Sequence, residues 1–328
     1  MNQVFKWGII GTGKIARAFA TDICNLPGHQ VAAVGSRSAD SANAFASEFN
    51  CSGHASYEDL IAQEVDAIYV ATPHPMHAPN TVLALNGGKP VLCEKPFAVN
   101  ARESELMIAT ARKKNLLLME AMWSRFLPHY RIIREMILNE EFGEIISLTA
   151  DHGQALPLPK YYRLHAPELA GGALLDLGIY PISLSYLVLG KPSEILSKAT
   201  FTETGVDAHT SIIFKYPNGA HANLNTTLLA KTPCIATIIG SKATLEIHGS
   251  FYTPTSMKLK RVDGSIKEFN NDYQGHGLRE QAKEFAELIQ AGNKESELMT
   301  LSDTHSIMET MDAIRKQIGL VYPFETEF

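Results

Sequence analysis

A glycine-rich turn near the start of the chain places the strongest constraint on how the sequence can fold. An apolar run, Val4–Ile10, leads directly into Gly11–Ala16 (GTGKIA), and a helical pattern follows. In a G-x-G-x-x-G/A motif the first glycine permits the tight turn and the second lets the backbone approach a pyrophosphate. The third small residue packs the helix against the strand. The motif predicts a dinucleotide site at a helix N-terminus, with a turn that binds no ligand as the alternative.

The first third of the chain alternates short apolar runs with amphipathic stretches, which is typical of a parallel sheet covered by helices. Right-handed crossovers bring the carboxyl ends of the strands to one edge, where open α/β sheets bind ligands. The predicted strands are Val4–Ile10, Gln30–Gly35, Asp66–Ala71, Pro90–Cys93 and Leu116–Glu120, and the later predicted helices are Ala39–Phe49, Tyr57–Gln63, Met76–Asn86 and Ala101–Lys114.

The residues after the second predicted strand distinguish the two nicotinamide cofactors. A site that prefers NAD usually has Asp or Glu about 20 residues after the glycine-rich turn, where it accepts hydrogen bonds from the ribose. Here Ser36 and Arg37 follow the strand, and the first carboxylate is Asp40. A hydroxyl and a guanidinium suit a 2′-phosphate, although Arg37 as a solvated loop residue is the alternative. We therefore expect NADP in preference to NAD.

Two more loops follow predicted strands at the same edge of the sheet. The first, Ala71–His77, contains two prolines and two histidines. Because the histidines have no carboxylate or cysteine neighbour at ligand spacing, we predict no metal site there. The second loop, Cys93–Phe97, contains Lys95 before a proline, which restricts its backbone to extended geometry. Lys95 is either a general acid or base beside the nicotinamide or an ordinary charged strand end.

Charge and cysteine usage exclude several classes of protein. The chain has 29 basic and 35 acidic residues, a net charge of −6, whereas binding of nucleic acid or an anionic membrane normally needs a basic face. The N-terminus lacks the layout of a signal peptide, and we expect no transmembrane helix. Four cysteines without C-x-x-C spacing favour reduced thiols. These features predict a cytoplasmic protein with a small-molecule partner.

The pattern changes from Gly143 onward to longer alternating runs, which predict a large open, mostly antiparallel sheet with helices on one face. Its uncovered face would be prone to aggregation, so we expect a homodimer formed through the sheet. The predicted strands are Glu144–His152, Ile195–Glu203, His209–Tyr216, Ala220–Leu229, Ile235–Gly240, Thr244–Gly249 and Met257–Val262, and the predicted helices are Trp123–Leu138, Gly172–Leu189, Gly277–Ala291 and Ser302–Gly319.

The order and spacing of the three loop motifs resemble the Gfo/Idh/MocA oxidoreductase family. Those motifs are Gly11–Ala16, Ala71–His77 and Glu94-Lys95-Pro96. Two more stretches, EAMWSRFLP from Glu120 and GGALLDLGIYP from Gly171, are similar to the subgroup with dimeric dihydrodiol dehydrogenase and NADP-dependent D-xylose dehydrogenase. The resemblance covers essentially the whole chain. It implies a doubly wound Rossmann domain followed by an α/β substrate domain, and association through the sheet of that domain.

The resemblance also implies roles for individual residues. Lys95 matches the catalytic lysine of the family, and its peptide bond to Pro96 is expected to be cis. Asp176 and Tyr180 match polar partners near the reacting carbon, where many relatives have His instead of Tyr. Trp123 and Arg125 match positions close to the nicotinamide and the substrate.

The spacing of Asp176 and Tyr180 agrees with these roles. At i and i+4 they would share one face of a helix, while the leucines between them pack into the core. Turned towards Lys95, the carboxylate and the phenol would form a proton relay. The alternative is a buried Asp–Tyr hydrogen bond that serves structure alone.

We therefore predict reversible hydride transfer between NADP(H) and a secondary alcohol or carbonyl of a sugar or cyclic diol. The alternatives are a non-catalytic NADP-sensing regulatory protein on the same scaffold and a reductase of a non-sugar substrate. Residues 1–121 would bind the dinucleotide, and residues 122–328 would form the substrate and oligomerisation domain. The predicted cofactor site is Gly11, Thr12, Gly13, Lys14, Ile15, Ser36, Arg37, Thr72, Pro73, His74, His77, Glu94, Lys95, Trp123 and Arg125. Further pocket candidates in loops are His152, Tyr161, Arg163, His165, Tyr273 and His276.

Overall fold

A computed structural model describes residues 4–325 of the chain. It divides the chain into two compact units. The first unit runs to Phe126 and includes Gly275–His305, and the second comprises Leu127–Gln274 and the chain from Ser306 onward. The sequence-based boundary at residue 121 assigned all later residues to the second domain, whereas Gly275–His305 packs with the first unit.

Fourteen strands occur among the described residues. Those of the first unit are β1 (Phe5–Ile10), β2 (His29–Gly35), β3 (Ser52–His54), β4 (Ala67–Val70), β5 (Val91–Glu94) and β6 (Leu118–Ala121). Those of the second unit are β7 (Ile145–Gly153), β8 (Glu194–Phe201), β9 (Asp207–Lys215), β10 (His221–Thr227), β11 (Ala236–Gly240), β12 (Ala243–Ile247), β13 (Met257–Arg261) and β14 (Ile266–Phe269).

Ten α-helices connect the strands of the described chain. They are α1 (Lys14–Cys24), α2 (Ala39–Phe49), α3 (Tyr57–Ile61), α4 (His77–Asn86), α5 (Ala101–Lys114), α6 (Pro128–Leu138), α7 (Tyr162–His165), α8 (Ile179–Leu189), α9 (Arg279–Gln290) and α10 (Leu301–Ile318). Short 3₁₀ turns cover His74–Met76, Trp123–Phe126, Pro167–Leu169 and Pro323–Glu325, and a π-helical turn covers Leu174–Gly178.

The sheet of the first unit is parallel throughout, in the order β3-β2-β1-β4-β5-β6. Every residue of β4, β5 and β6 is buried, as expected for strands covered on both faces. The order confirms the predicted doubly wound fold. The strand order reverses between β1 and β4, so the loops after these two strands lie at the switch point of the sheet, where such folds bind ligands.

The sheet of the second unit has eight strands in the order β14-β13-β12-β11-β7-β10-β9-β8. All neighbours are antiparallel except the β7–β10 pair, which confirms the predicted mostly antiparallel sheet. Burial alternates along β9 and β10, with Ile212 and Leu224 buried and Ile213 and Asn225 exposed. The sheet therefore has one covered face and one open face.

Two predicted helices depart from regular α-helical geometry, and a proline is present at both departures. The predicted helix Trp123–Leu138 begins as a 3₁₀ turn and restarts as α6, because Pro128 holds Leu127 in an extended conformation. The predicted helix Gly172–Leu189 contains the π-helical turn before α8. Pro181 has no amide to donate to the carbonyl of Leu177, four residues earlier, as a regular helix would require.

One helical segment, Pro167–Leu189, is long and apolar enough to cross a membrane by the criteria of length and composition alone. Its most apolar window is 89% buried within the fold, and core helices of soluble proteins meet the same criteria. The length and hydropathy of this segment therefore reflect its place in the buried core.

Candidate active site

The glycine-rich turn after β1 has the geometry that a dinucleotide needs. Gly11 has a φ of +108°, and a Cβ added there would lie 2.7 Å from the carbonyl oxygen of Ala71, in the loop after β4. Only glycine therefore fits at this crossing of two loops. A Cβ added at Gly13 would meet nothing within 4 Å, so the space in front of this backbone is open. Ala16 is fully buried, as close packing of α1 requires.

The N-terminus of α1 faces that open space. Gly13 is the N-cap and has no side chain to accept hydrogen bonds from the first amides of the helix. Lys14 is exposed, while Thr12 and Ile15 are half-buried. Uncapped amides and a neighbouring lysine fit the phosphates of a dinucleotide.

The loop after β2 carries the predicted determinants of cofactor choice. Ser36 is nearly buried, and its Oγ accepts a hydrogen bond from the amide of Ser38 at 3.3 Å. Burial raises the pKa of the Tyr57 phenol, and the exposed guanidinium of Arg37 nearby opposes that shift. An exposed guanidinium at the end of β2 suits the 2′-phosphate of NADP.

His77 links the loop after β4 to the loop after β5. Its Nδ1 lies 2.8 Å from the carbonyl oxygen of Pro96, and its Nε2 lies 2.8 Å from that of Thr72. Because carbonyl oxygens only accept, a ring protonated at both nitrogens would donate to both. Asn80 donates to the hydroxyl of Thr72 at 3.1 Å. Of the remaining candidates in this loop, Pro73 is half-buried, and His74 is buried with its ring 5.7 Å from that of His77.

Lys95 leaves the end of β5 on a constrained loop. The Lys95–Pro96 peptide is cis, as the resemblance implied. Glu94, the last residue of β5, is buried, accepts a hydrogen bond from the hydroxyl of Tyr69, and accepts another from the amide of Lys95 at 3.2 Å. The lysine itself is half-buried. The backbone that carries the Lys95 side chain is therefore held on both sides, by Glu94 and by His77.

Glu120 is a buried acid that sequence reasoning did not single out. Its Oε1 accepts from the amide of Phe97 at 3.2 Å, and its Oε2 accepts from the hydroxyl of Thr304 at 3.0 Å. Its pKa is raised to about 7, chiefly by burial and also by the charge of Glu94, against the opposing effects of these hydrogen bonds and of the charge of Arg125. The side chain thus supports the loop that follows Lys95.

Trp123 and Arg125 are both buried in the 3₁₀ turn after β6. The ring of Trp123 stacks on His276 with centroids 5.5 Å apart, and a guanidinium nitrogen of Arg125 lies 3.8 Å from a carboxylate oxygen of Asp303. His276 reaches Trp123 because Asp22 accepts hydrogen bonds from four consecutive amides, from His276 to Arg279, at 2.7–3.3 Å. No local pattern at Asp22 reveals this role, since its partners are over 250 residues away.

In the second unit, Asp176 lies within the π-helical turn rather than on a regular helix. Its carboxylate accepts from the guanidinium of Arg163 at 3.0 Å. The i and i+4 rule assumed regular α-helical geometry between Asp176 and Tyr180, and the π-helical turn invalidates that argument. The relay with Lys95, which belongs to the other unit, stays a prediction.

Tyr180 belongs to a group that we call the aromatic cluster, made of His152, Tyr180 and Tyr252. The ring of Tyr252 stacks on His152 at 4.0 Å, and Tyr180 lies 4.6 Å from Tyr252. His152 Nδ1 lies 3.1 Å from the carbonyl oxygen of Leu177, to which Pro181 has no amide hydrogen to donate. His152 Nε2 lies 3.0 Å from the side-chain amide nitrogen of Gln154. This pattern fits a neutral His152 that donates from Nδ1.

Sequence reasoning missed Tyr252 and Gln154. Gln154 donates to the hydroxyl of Tyr252 at 3.4 Å. Neither residue lies in a motif, and only the pairing of strands brings them together. Two pocket candidates have structural partners instead: His165 is nearly buried and hydrogen-bonds the Leu156 carbonyl at 2.8 Å, and Tyr161 packs on an apolar cluster.

Tyr273 is half-buried, and its backbone amide donates to the side-chain oxygen of Asn271.

Among residues 4–325, no group of three or more His, Cys, Asp or Glu side chains could hold a metal ion.

Comparison with known proteins identifies relatives over almost the whole chain. The chain is 36% identical to a trans-1,2-dihydrobenzene-1,2-diol dehydrogenase of Xenopus tropicalis, over 97% of this chain and 99% of the relative. It is 34% identical to a D-xylose 1-dehydrogenase (NADP(+)) of Hypocrea jecorina, over 97% and 93% respectively. A 3-ketoreductase of Actinomadura kijaniata, solved with NADP and TDP-benzene, has a TM-score of 0.85 at 28% identity, covering 96% of this chain and 98% of that structure.

Two family models match consecutive parts of the chain. Residues 5–122 match an oxidoreductase family with an NAD-binding Rossmann fold, and residues 130–246 match the Gfo/Idh/MocA C-terminal domain. These matches agree with the parallel sheet of the first unit and the mostly antiparallel sheet of the second. The chain therefore belongs to the Gfo/Idh/MocA family of oxidoreductases.

Proposed function

We propose that the protein is an NADP(H)-dependent dehydrogenase or reductase that acts on a secondary alcohol or carbonyl of a sugar or cyclic diol. The observation that carries the proposal is the match over 97% of the chain to both a diol dehydrogenase and an NADP(+)-dependent xylose dehydrogenase. Both of those relatives are named for the oxidation of hydroxyl-bearing carbons.

The first unit supports the choice of NADP. The open backbone at Gly13 and the uncapped start of α1 suit the pyrophosphate, and Ser36 and Arg37 suit the 2′-phosphate. The rest of the proposed cofactor site is the loop after β4, the Glu94-Lys95 pair, Trp123 and Arg125. When bound, NADP(H) accepts or supplies the hydride, and the protein provides orientation and a path for the proton.

Lys95 and Tyr180 are the proposed general acid/base groups, because an ammonium and a phenol can each exchange a proton with a substrate oxygen. Asp176 is the proposed orienting group. The guanidinium of Arg163 supports this role, since it holds the carboxylate of Asp176 at 3.0 Å. The aromatic cluster supports the placement of Tyr180 by packing against its ring.

In this proposal residues 1–121 form the cofactor domain, Trp123 and Arg125 complete the cofactor site from just beyond it, and residues 122–328 provide the substrate site and the subunit interface. A cytoplasmic location is supported by the four cysteines, Cys24, Cys51, Cys93 and Cys234, all of which are free thiols.

A homodimer formed through the open face of the eight-stranded sheet is the proposed assembly. Leu196 on β8 pairs directly with Ile213 on β9, and both side chains are about half exposed on that face. Ile213 pairs in turn with Asn223 on β10, and Asn223 pairs with Thr149 on β7. An open face with aliphatic side chains among small polar ones suits burial against a second copy.

A spectrophotometric screen tests the proposed reaction. Aldoses, deoxyketoses and cyclic diols are offered with NADP⁺ or NAD⁺, and the corresponding carbonyl compounds with the reduced cofactors, while absorbance at the nicotinamide band is followed. We expect turnover with at least one polyhydroxylated substrate and a higher kcat/KM with NADP(H). A preference for NAD(H) would contradict the role of Ser36 and Arg37, and binding of NADPH without turnover of any compound would favour a sensing protein.

A further inference from the structure

A buried carboxylate outside every sequence motif contacts the turn that leads into Asp176. Asp207, the first residue of β9, is completely buried. Its Oδ2 accepts a hydrogen bond from the amide of Leu174 at 2.8 Å and another from the hydroxyl of Thr210 at 2.7 Å. Leu174 is the first residue of the π-helical turn, so a carboxylate acceptor at this amide satisfies and favours the helix start.

The two glycines before Leu174 make this approach possible. Gly172 has a φ of +117°, and a Cβ added there would overlap the Oδ1 of Asp207. A Cβ added at Gly171 would lie 2.7 Å from the carbonyl oxygen of Leu164 and 2.9 Å from that of Arg163. The glycine pair therefore lets the turn lie against Asp207 on one side and against the end of α7 on the other.

A second contact to the same turn comes from near the C-terminal end of the described chain. The buried hydroxyl of Tyr322 donates to the carbonyl of Gly171 at 2.6 Å. Arg315 fixes this segment, since its guanidinium donates to both carboxylate oxygens of Glu325 at 2.6 and 2.9 Å and to Asp312 at 2.8 Å. It also lies over the Tyr322 ring at 5.2 Å. The carbonyl of Gly171 and the amide of Leu174 are thus both held by buried side chains.

Stability alone does not account for a carboxylate at this position. Burial raises the pKa of Asp207 to about 7, which means that the charged form is disfavoured there, although the hydrogen bonds and the charge of Arg315 oppose this shift. A buried acid costs free energy that an apolar side chain would not, but an apolar side chain would offer no acceptor. Asp207 supplies a directional acceptor for the amide of Leu174, which lies two residues before Asp176 and six before Tyr180.

We propose that Asp207 and Tyr322 are positioning residues, which hold the Gly171–Leu174 turn and thereby set the orientation of Asp176 and Tyr180 for the reaction. This inference rests on the proposed function, because it requires those two side chains to act on the substrate. A shift of the turn would be transmitted directly along the continuous helix to both of them, and a misplacement of about 1 Å can lower a rate by roughly 100-fold.

Four variants of the full chain test the inference. Asp207→Ala removes the acceptor, Asp207→Asn retains an uncharged acceptor for Leu174 and Thr210, and Tyr322→Phe removes only the hydroxyl. Tyr216→Phe is the matched control, because it also loses a buried tyrosine hydroxyl, one that bonds Ser185 in the middle of α8. Each variant is measured for kcat and KM with the best substrate of the screen, for NADPH affinity, and for amide hydrogen exchange over residues 171–180.

We expect Asp207→Ala to lower kcat by roughly 10-fold to 100-fold, with the substrate KM within about twofold of wild type, since the loss is in the reacting geometry. Exchange over residues 171–180 should rise, while NADPH affinity is unchanged. Asp207→Asn should restore most of kcat, Tyr322→Phe should lower it by a few-fold, and Tyr216→Phe should match wild type.

The inference is overturned if exchange rises while kcat stays at the wild-type value, because the turn would then be held without positioning the reaction. It is also overturned if Asp207→Asn is as impaired as Asp207→Ala, or if exchange over residues 171–180 does not change. An inactive wild-type protein is a different outcome, the failure of the proposed function, and the exchange data would then still report whether Asp207 holds the turn.

Discussion

At the scale of single residues, Glu120 supports the loop that contains Lys95, and its protonation makes the stability of the surrounding unit depend on pH. The folded protein raises the pKa of this side chain from 4.5 to about 7, chiefly by burial. Protonation of Glu120 therefore stabilises the folded protein fully below pH 4.5, and this contribution is lost as the pH rises through about 7. A shift of this size corresponds to on the order of 3 kcal/mol.

We predict that the stability of the first unit falls between pH 4.5 and pH 7 because of Glu120. Glu120→Gln, which is neutral throughout, should flatten the pH dependence of the urea-unfolding midpoint. Glu64→Gln, a change at an exposed site in the same unit, is the control and should keep the wild-type slope. A wild-type slope in Glu120→Gln would contradict the assignment.

The half-buried Lys95 carries a second prediction at the residue scale. Lys95→Met keeps the apolar stem and removes the ammonium, so NADPH binding should be largely retained while kcat falls about 100-fold or more. Lys113→Met, at the exposed end of α5, should retain wild-type turnover. The measurement is steady-state turnover combined with a fluorescence titration of NADPH. Normal turnover in Lys95→Met would exclude a catalytic role for the lysine.

At the scale of elements, local sequence signals were enough to predict two helices, whereas two short edge strands form only through pairing with their neighbours. Ala39–Phe49 and Ala101–Lys114 were predicted with the bounds that α2 and α5 have, and in the structure the side chains of Ser38 and Asn100 cap their first turns. The short edge strands β3 and β14 were missed. They have only three and four residues, too few to show an alternating pattern, and pairing with β2 and β13 makes them strands.

The β1–α1 turn provides a matched pair of substitutions. Gly13 has an ordinary φ of −74° and open space where a Cβ would be, so Gly13→Ala should fold normally and lower NADPH affinity by about tenfold, or ~1.4 kcal/mol, by obstructing the pyrophosphate. Gly11→Ala combines a positive φ with a close backbone contact and should lower stability by about 1–3 kcal/mol.

Urea unfolding and a fluorescence titration of NADPH separate these two effects. Unchanged NADPH affinity in Gly13→Ala would show that no ligand approaches the turn at this point.

At the scale of the whole molecule, the open sheet face predicts self-association. Sedimentation over a range of micromolar concentrations should show a dimer, and Ile213→Glu should shift it towards monomer by burying a charge against a second copy. Leu138→Glu, at an exposed aliphatic site at the end of α6, is the control. A monomer at all concentrations would disprove this assembly.

The sequence by itself determined the two-sheet architecture, the cofactor turn and the residues Lys95, Asp176 and Tyr180 as candidates. The architecture and the turn depend on apolar periodicity and glycine conformation, which act over a few neighbouring residues, whereas the three candidates follow from the resemblance of their motifs to the family. Only the tertiary structure decided how the loops are held. Asp207 reaches Leu174 across 33 residues and Tyr322 reaches Gly171 across 151, and such contacts depend on strand register and side-chain packing. No local pattern encodes them, because each partner alone is an ordinary polar residue.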